Sequence, residues 1–226
     1  MIDSARAVAA ATVLALLASG CSKDTTAVSP AERVRKTAAI SNEQPRGGGK
    51  VLVRALTDPN PDVRKAALLG LSGYIAPEHR RAIEQATRDQ HPEVRAGAAT
   101  TLSLYKDDAA AETLGKLLSR DANEVVRLAA ASGLGLNPSQ KAIVSLLENA
   151  EKNPSPRARY QAMRALLSKL GLRFYRKVDP RGGREWRALV EEMKHSRIVR
   201  EAYASCGASL VHHPEDKKPN APGHSP

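Results

Sequence analysis

Aromatic side chains are nearly missing from this chain, which has one Phe, one Trp and five Tyr in 226 residues. A deep pocket for a planar cofactor is usually walled by aromatic rings, so no cofactor is expected. Cysteine is as scarce: Cys21 and Cys206 are the two thiols, too few for a disulfide framework. Catalytic signatures are missing too. There is no His-Glu-x-x-His, no Cys-x-x-Cys, no Gly-x-Ser-x-Gly and no dinucleotide-binding glycine loop. The run Gly47-Gly-Gly-Lys50 is no phosphate loop, because Val51 follows the lysine where Ser or Thr is required. Glu191 and Glu192 are neighbours, so on a helix they point about 100° apart and form no carboxylate pair. His212-His213 with Glu215 and Asp216 matches no metal-ligand spacing. The sequence thus reads as non-enzymatic. The apolar run Ala7–Ala18 is also too short to span a bilayer as a helix.

What the chain does have is one phrase repeated four times. Asp58-Pro-Asn-Pro-Asp-Val-Arg64 returns as Asp89-Gln-His-Pro-Glu-Val-Arg95, then as Asp121-Ala-Asn-Glu-Val-Val-Arg127, and with departures as Asn153-Pro-Ser-Pro-Arg-Ala-Arg159. From arginine to arginine the steps are 31, 32 and 32 residues. A period of this size predicts stacked supersecondary units. Three residues after each arginine stands Ala67, Ala98, Ala130 or Ala162, and seven after it Leu71, Leu102, Leu134 or Leu166. Positions four apart share a helix face: alanine admits a neighbouring helix and leucine fills the space beside it. Asn60, His91, Asn123 and Ser155 share the N-cap column, of which the Asn and Ser residues are good caps. Pro61, Pro92 and Pro156 take the first helical position, where the missing N–H is harmless. Before each turn lies a second apolar stretch, such as Val51, Leu52, Val53 and Leu56, or Leu114, Leu117 and Leu118, or Ile143, Leu146 and Leu147. Each unit is therefore helix, short turn, helix.

The aspartate, the Val-Arg pair and the Ala and Leu columns resemble the HEAT repeat family, and its short bacterial units most closely. The resemblance implies an all-α fold, a right-handed α-α superhelix (HEAT-like α-solenoid) with disordered termini. It also implies a ladder between neighbouring units in which Asp58, Asp89 and Asp121 pair with Arg64, Arg95 and Arg127. Asn153 replaces the acid of the fourth unit, so Arg159 stands beside a ladder position without a carboxylate. The expected layout is a signal segment over 1–20 and a tether with an N-terminal capping helix over 21–49. Four repeats over 50–170 follow, then basic capping helices over 171–210 and a disordered tail over 211–226. Trp186, Leu189, Val190 and Met193 form one stripe at helical spacing and are expected to cover the open end of the stack.

The segment Leu17-Ala18-Ser19-Gly20-Cys21 after the apolar run resembles a bacterial lipoprotein signal. The resemblance implies lipidation of Cys21, a membrane-anchored lipoprotein on the periplasmic side, and the outer membrane in preference to the inner, since Ser22 is not aspartate. Formal net charge is +11. Residues 152–200 hold 14 Lys/Arg against 4 Asp/Glu, which concentrates the excess at one end. Within this block Arg173, Arg176, Lys177, Arg181, Arg184 and Arg187 are the candidates for an anionic partner, by a salt-dependent field. The expected partners are a protein or peptide on the concave face, the membrane through the lipid anchor, and an anionic envelope component. Nucleic acid is the natural partner of such a basic solenoid only in a chain that stays in the cytoplasm. A lyase-type HEAT protein is the other alternative, but nothing in the sequence points to a pigment.

Overall fold

A computed structural model describes residues 28–43, 46–172 and 179–210. The signal segment with Cys21, the tail 211–226, and Arg173, Arg176 and Lys177 lie outside the described residues. Those described form eleven helices and no strand. They are α1 (Pro30–Glu43), α2 (Gly48–Ala55), α3 (Pro61–Leu71), α4 (Pro77–Ala86), α5 (Pro92–Leu102), α6 (Asp108–Arg120), α7 (Glu124–Leu136), α8 (Gln140–Lys152), α9 (Pro156–Lys169), α10 (Arg184–His195) and α11 (Arg197–Ser205). Each repeat phrase ends one helix and starts the next. Asn60, Asn123 and Ser155 accept from the amides of Asp62, Val125 and Ala158, while His91 makes no side-chain cap. The acid of each turn also folds back. Asp58, Asp89 and Asp121 accept at Oδ1 from the amide two residues on, at 2.8, 2.9 and 2.8 Å. This local bond closes the turn before the helix begins.

The helices form two rows, a solenoid. Second helices α1, α3, α5, α7 and α9 pack in succession; in the other row α2 packs on α4 and α6 on α8. The Ala and Leu columns are the seam between the rows, and all eight of those residues are fully buried. Opposite them Leu52, Ile83, Leu114, Leu118, Leu146 and Leu147 are fully buried, whereas Val51, Val53, Leu56 and Leu117 pack half-buried at the margin. Each fully buried leucine stabilises the fold by roughly 1.5–3 kcal/mol relative to exposure. Burial recurs in every unit, so the stack has a continuous core and no single centre.

Both ends differ from a simple cap. At the N-terminus, α1 lies in the second-helix row and packs against α3. Arg33 stands 31 residues before Arg64, with Pro30 three residues ahead of it as Pro61 is of Arg64. Helix α1 is thus the second half of a further unit. The glycines after it are packing sites. Gly48 and Gly49 are buried at the start of α2, where a Cβ would collide with the rings of Tyr74 and His79 respectively. His79 in turn donates from Nδ1 to the Tyr74 carbonyl at 2.7 Å.

At the C-terminus α10 and α11 both pack on α8, extending the first-helix row. Trp186, Val190 and Met193 are buried there, with Leu189 packed half-buried beside them. Trp186 Nε1 donates to the Ala150 carbonyl at 3.0 Å. Four residues on from Ala150 is Pro154, which has no N–H to give. The indole therefore satisfies a carbonyl that the helix leaves orphaned. Lys194, read from sequence as part of the basic surface block, is buried instead. Its ammonium meets Glu151 Oε1 at 2.8 Å and Glu191 Oε1 at 2.6 Å. Burial alone would lower its pKa, but the hydrogen bonds it donates to the two glutamates overcome that and hold it above the ordinary lysine value.

Replacing Trp186 by alanine is expected to lower unfolding stability by about 3–5 kcal/mol. Trp186→Phe, which keeps much of the packing but strands the Ala150 carbonyl, is expected to cost about 1–3 kcal/mol. Urea titrations of the two variants against the parent measure both values. A loss under about 1 kcal/mol for the alanine variant would show that this end of the stack does not depend on the indole.

Candidate interaction surface

Five arginines hold equivalent positions at the starts of the second helices. In each, Nη1 donates to a carbonyl of the preceding turn: Arg33 to Val28 O (2.7 Å), Arg64 to Asp58 O (2.8 Å), Arg95 to Asp89 O (2.8 Å), Arg127 to Asp121 O (2.7 Å) and Arg159 to Asn153 O (2.6 Å). In the first three, Nε and Nη2 form a two-pronged bond to the aspartate of the next unit. The Nε–Oδ2 distances are 2.9 Å for Arg33–Asp58, 2.7 Å for Arg64–Asp89 and 2.8 Å for Arg95–Asp121. The ladder thus runs from each arginine to the following acid, and the side chain that meets the Asp58 carboxylate is Arg33, not Arg64. Burial pushes the Asp89 and Asp121 carboxyls up, but the guanidinium and turn-amide hydrogen bonds outweigh it and hold both below the usual carboxylate range. These arginines spend their donors inside the stack and serve structure.

Arg127 departs from the expected pairing. The acid it would meet is Asn153, whose Nδ2 donates to Leu118 O and Asn149 Oδ1. The Arg127 Nε is buried with no hydrogen-bond partner. Arg159 Nε donates to the Pro180 carbonyl at 2.6 Å, so backbone of the C-terminal region takes the place of a further acid. A second bridge, not expected from the repeat phrase, joins the other row. Arg80 of α4 donates from Nη1 and Nη2 to Asp107 at 2.6 and 3.0 Å and from Nε to Glu84 at 2.7 Å, and its guanidinium sits 5.4 Å from the Tyr105 ring centre. The Arg80 hydrogen bond leads the effects that hold Asp107 below the usual carboxylate range. Asp107 also caps α6 by accepting from the Ala110 amide at 2.9 Å.

The exposed surface divides unevenly between the rows. Counting from the ladder arginine, the positions two before and one, five and nine after it face outward from the second helices. In the α3 unit these are Asp62, Lys65, Leu69 and Gly73; in the α5 unit, Glu93, Ala96, Thr100 and Leu104; on α7, Val125, Leu128, Ser132 and Leu136; on α9, Arg157, Tyr160, Arg164 and Ser168. None is buried. Leu69, Leu104, Val125 and Leu136, exposed by 72, 40, 59 and 70 %, are large apolar residues of this row; α2, α4, α6 and α8 expose none of that kind, though Ile75 in the turn before α4 and Ile198 of α11, which extends their row, are also exposed.

On the other row, a cleft of about 450 Å³ lies between α6 and α8, lined by charged and polar groups including Glu112, Lys116, Arg120, Glu148, Asn149 and Lys152. Glu112 is paired with Lys116 at 2.7 Å, and the lining mixes both signs. Of the basic candidates, Arg181, Arg184 and Arg187 are all exposed at the start of α10, with Arg181 lying 3.6 Å from Asp179. Cys206 is a free thiol, half-buried at the end of α11. Among the described residues no three His, Cys, Asp or Glu side chains gather as a metal site.

HEAT repeats match the chain over residues 49–135 and again over 111–180. No curated protein matches. Among solved structures, the chain is similar to an engineered protein known from a crystal structure, at 22% sequence identity and a TM-score of 0.41, covering 61% of this chain and 67% of that one.

The ladder makes an ordering testable. Arg95→Met uncovers the Asp121 carboxylate in a partly buried site and is expected to cost about 2–3 kcal/mol, whereas Arg127→Met uncovers none and is expected to cost at most about half as much. Asp89, Asp107 and Asp121 are depressed in the fold. Their contribution is therefore complete above the unfolded carboxylate value, about 3.9, and drains away as pH falls through the lower folded values. Urea midpoints are thus expected to change little from these groups between about pH 5 and 8, to fall below about pH 4, and to fall less steeply in Arg95→Met. Equal losses for the two arginine variants would remove the ladder as the source.

Proposed function

The chain belongs to the HEAT repeat family, and from that premise we propose that it is a non-enzymatic scaffold that binds a protein or peptide partner on its second-helix face. In this reading it is held in a bacterial cell envelope by an acylated Cys21. The observation that carries the binding half is the placement of Leu69, Leu104, Val125 and Leu136 on the second-helix side of the repeats, where the first helices α2, α4, α6 and α8 expose no large apolar residue. Curvature that makes this the inner face would let one partner touch several units at once. The absence of known catalytic signatures in the sequence supports the non-enzymatic part.

The anchoring half rests on the Ala7–Ala18 run, the small residues before Cys21 and the abrupt polarity of Ser22-Lys-Asp-Thr-Thr. Among the described residues no helix is long and apolar enough to cross a membrane. Several acyl chains, each stabilising insertion by about 0.8 kcal/mol per buried CH₂, hold a protein to a bilayer firmly. Between Cys21 and Pro30 the backbone spans at most about 30 Å when fully extended. An anchored chain would therefore present its repeats close to the lipid surface, with α1 nearest. The exposed Arg181, Arg184 and Arg187 add attraction for an anionic envelope component, the outer membrane being the preferred location.

Two measurements test the halves separately. Cys21→Ala is expected to move the protein from the membrane pellet to the soluble fraction; continued pelleting would remove the lipid anchor. A photo-crosslinking residue at Leu136 is expected to capture a partner in intact cells, and one at Lys116 on the opposite row to capture none. Capture from Lys116 alone would place the binding face on the wrong row. The bound complex is also expected to weaken as salt rises, by screening of the basic block; insensitivity to salt would leave that block without a part.

A further inference from the structure

The equivalent arginines number the second helices alike, and their outward stripes, compared position by position, are not alike. The α7 stripe is apolar at Val125, Leu128 and Leu136, whereas its neighbour α9 carries Arg157 and Arg164 at the positions of Val125 and Ser132. Val125 and Leu136 are 59 and 70 % exposed, and both arginines are exposed. The two helices lie against each other closely enough that a Cβ at Gly135 would come within 3.2 Å of the Ala165 Cβ. The apolar and the basic stripes therefore run side by side, one helix spacing of about 8–10 Å apart. Earlier units do not repeat this. The column that holds Val125 and Arg157 holds Asp62 and Glu93 in the units before them, so the acidic side chains of this face lie away from the pair. On the rim of the stripe Glu124 meets Arg157 at 3.5 Å, a long contact at an exposed guanidinium. Arg164 makes no ion pair among the described residues.

From this juxtaposition we infer that α7 and α9 form a docking groove for an acidic amphipathic helix of another protein. The inference rests on the reading of the second-helix face as the binding face and names its partner's chemistry. From Val125 to Leu136 the stripe is about 16 Å long at 1.5 Å per residue, which matches three turns of a partner helix. Such a helix lays apolar side chains at i, i+4 and i+7 onto α7. Carboxylates along its edge then reach Arg157 and Arg164. The apolar contact supplies the burial, and the charges set orientation and exclude partners with a basic edge.

The test uses the purified full chain and two fluorescein-labelled helical peptides of about 14 residues. They share one leucine stripe and differ in having glutamate or lysine along its edge. Fluorescence anisotropy is expected to show the acidic peptide binding at least about tenfold more tightly than the basic one, with Leu136→Ser weakening it about tenfold. The Arg157→Glu/Arg164→Glu double variant is expected to reverse the preference between the peptides. That gain of binding cannot come from misfolding. Equal affinity for the two peptides, or binding untouched by both sets of substitutions, overturns the proposal. Binding lost in Leu69→Ser or Thr100→Glu but not in the α7 and α9 variants overturns the groove while leaving the second-helix face intact. Loss of neither kind removes both readings. Vesicles containing phosphatidylglycerol form a third arm, run with the Cys21→Ala chain. Binding to them through Arg157 and Arg164, with neither peptide bound, would identify the groove as a lipid contact and overturn the inference as well.

Discussion

One guanidinium geometry recurs through the stack, and it ties each joint of the second-helix row from α1 to α7. Nη1 ties the arginine to its own turn, and the Nε/Nη2 edge ties it to the acid of the next unit. The acid, through Oδ1, also closes its own turn on the amide two residues ahead. One side chain pair therefore fixes the shape of two turns and the offset between them. The planar fork of arginine suits this because both bonds to the carboxylate form together, which a lysine ammonium cannot reproduce. Ion pairs this close to the surface contribute modestly to net stability. The alanine and leucine seam supplies the burial, and the ladder selects which of several similar helix offsets is adopted.

The ladder stops where the chain stops repeating. Between the third and fourth units Asn153 bonds inward to Leu118 and Asn149, and Arg127 keeps its turn contacts but has no acid to meet. Past that point the stack is finished by other means. Arg159 reaches the Pro180 carbonyl, Trp186 occupies the carbonyl that Pro154 leaves open, and Lys194 is held between Glu151 and Glu191. Each of these joins the last units to α10 or the backbone just before it. The C-terminal helices are thus built into the polar network of α8 and its following turn as well as onto its apolar face. On the N-terminal side no such change occurs. Arg33 and Asp58 carry the ladder into α1 with the same two-pronged pairing as the interior rungs, at 2.9 and 3.2 Å.

Features that recur at fixed spacing were legible in the sequence, and features that occur once were not. The Ala and Leu columns, the proline starts, the Asn and Ser caps and the Trp186 stripe all follow from period and helical geometry, and all are where the spacing predicts. Helix α1 was seen as a capping helix and not as a fifth unit. Val34-Arg35 imitates the repeat's Val-Arg two residues out of register, and lysine takes the alanine position at Lys36. The pairing of Asp58 with Arg33 was missed for the same reason. Arg80 with Asp107 could not be read, since a salt bridge 27 residues apart has no periodic copy to expose it. Lys194 looked like surface charge because its partner Glu151 lies 43 residues away. Gly48 and Gly49 gave no packing signal because the rings that demand their small size arrive from the turn after α3 and from α4.

A repeat architecture also separates the residues that hold the stack from those free to vary. In α3, α5, α7 and α9 the arginine, the alanine and the leucine are committed to the neighbours, and their identity does not change from unit to unit. The outward positions carry no such duty. There the chain moves from Asp62 through Glu93 and Val125 to Arg157 at one level, and from Leu69 through Thr100 and Ser132 to Arg164 at another. Packing cannot explain this progression, because these side chains are exposed. Solvation alone would be served by any polar residue, and it gives no reason to place Val125 and Leu136 in water beside a basic stripe. A residue set that is costly to expose and unnecessary to the fold is best explained by a surface that is covered when the protein works. On a solenoid such a surface can be confined to one pair of adjacent helices while the others remain spacers, which is the arrangement α7 and α9 present.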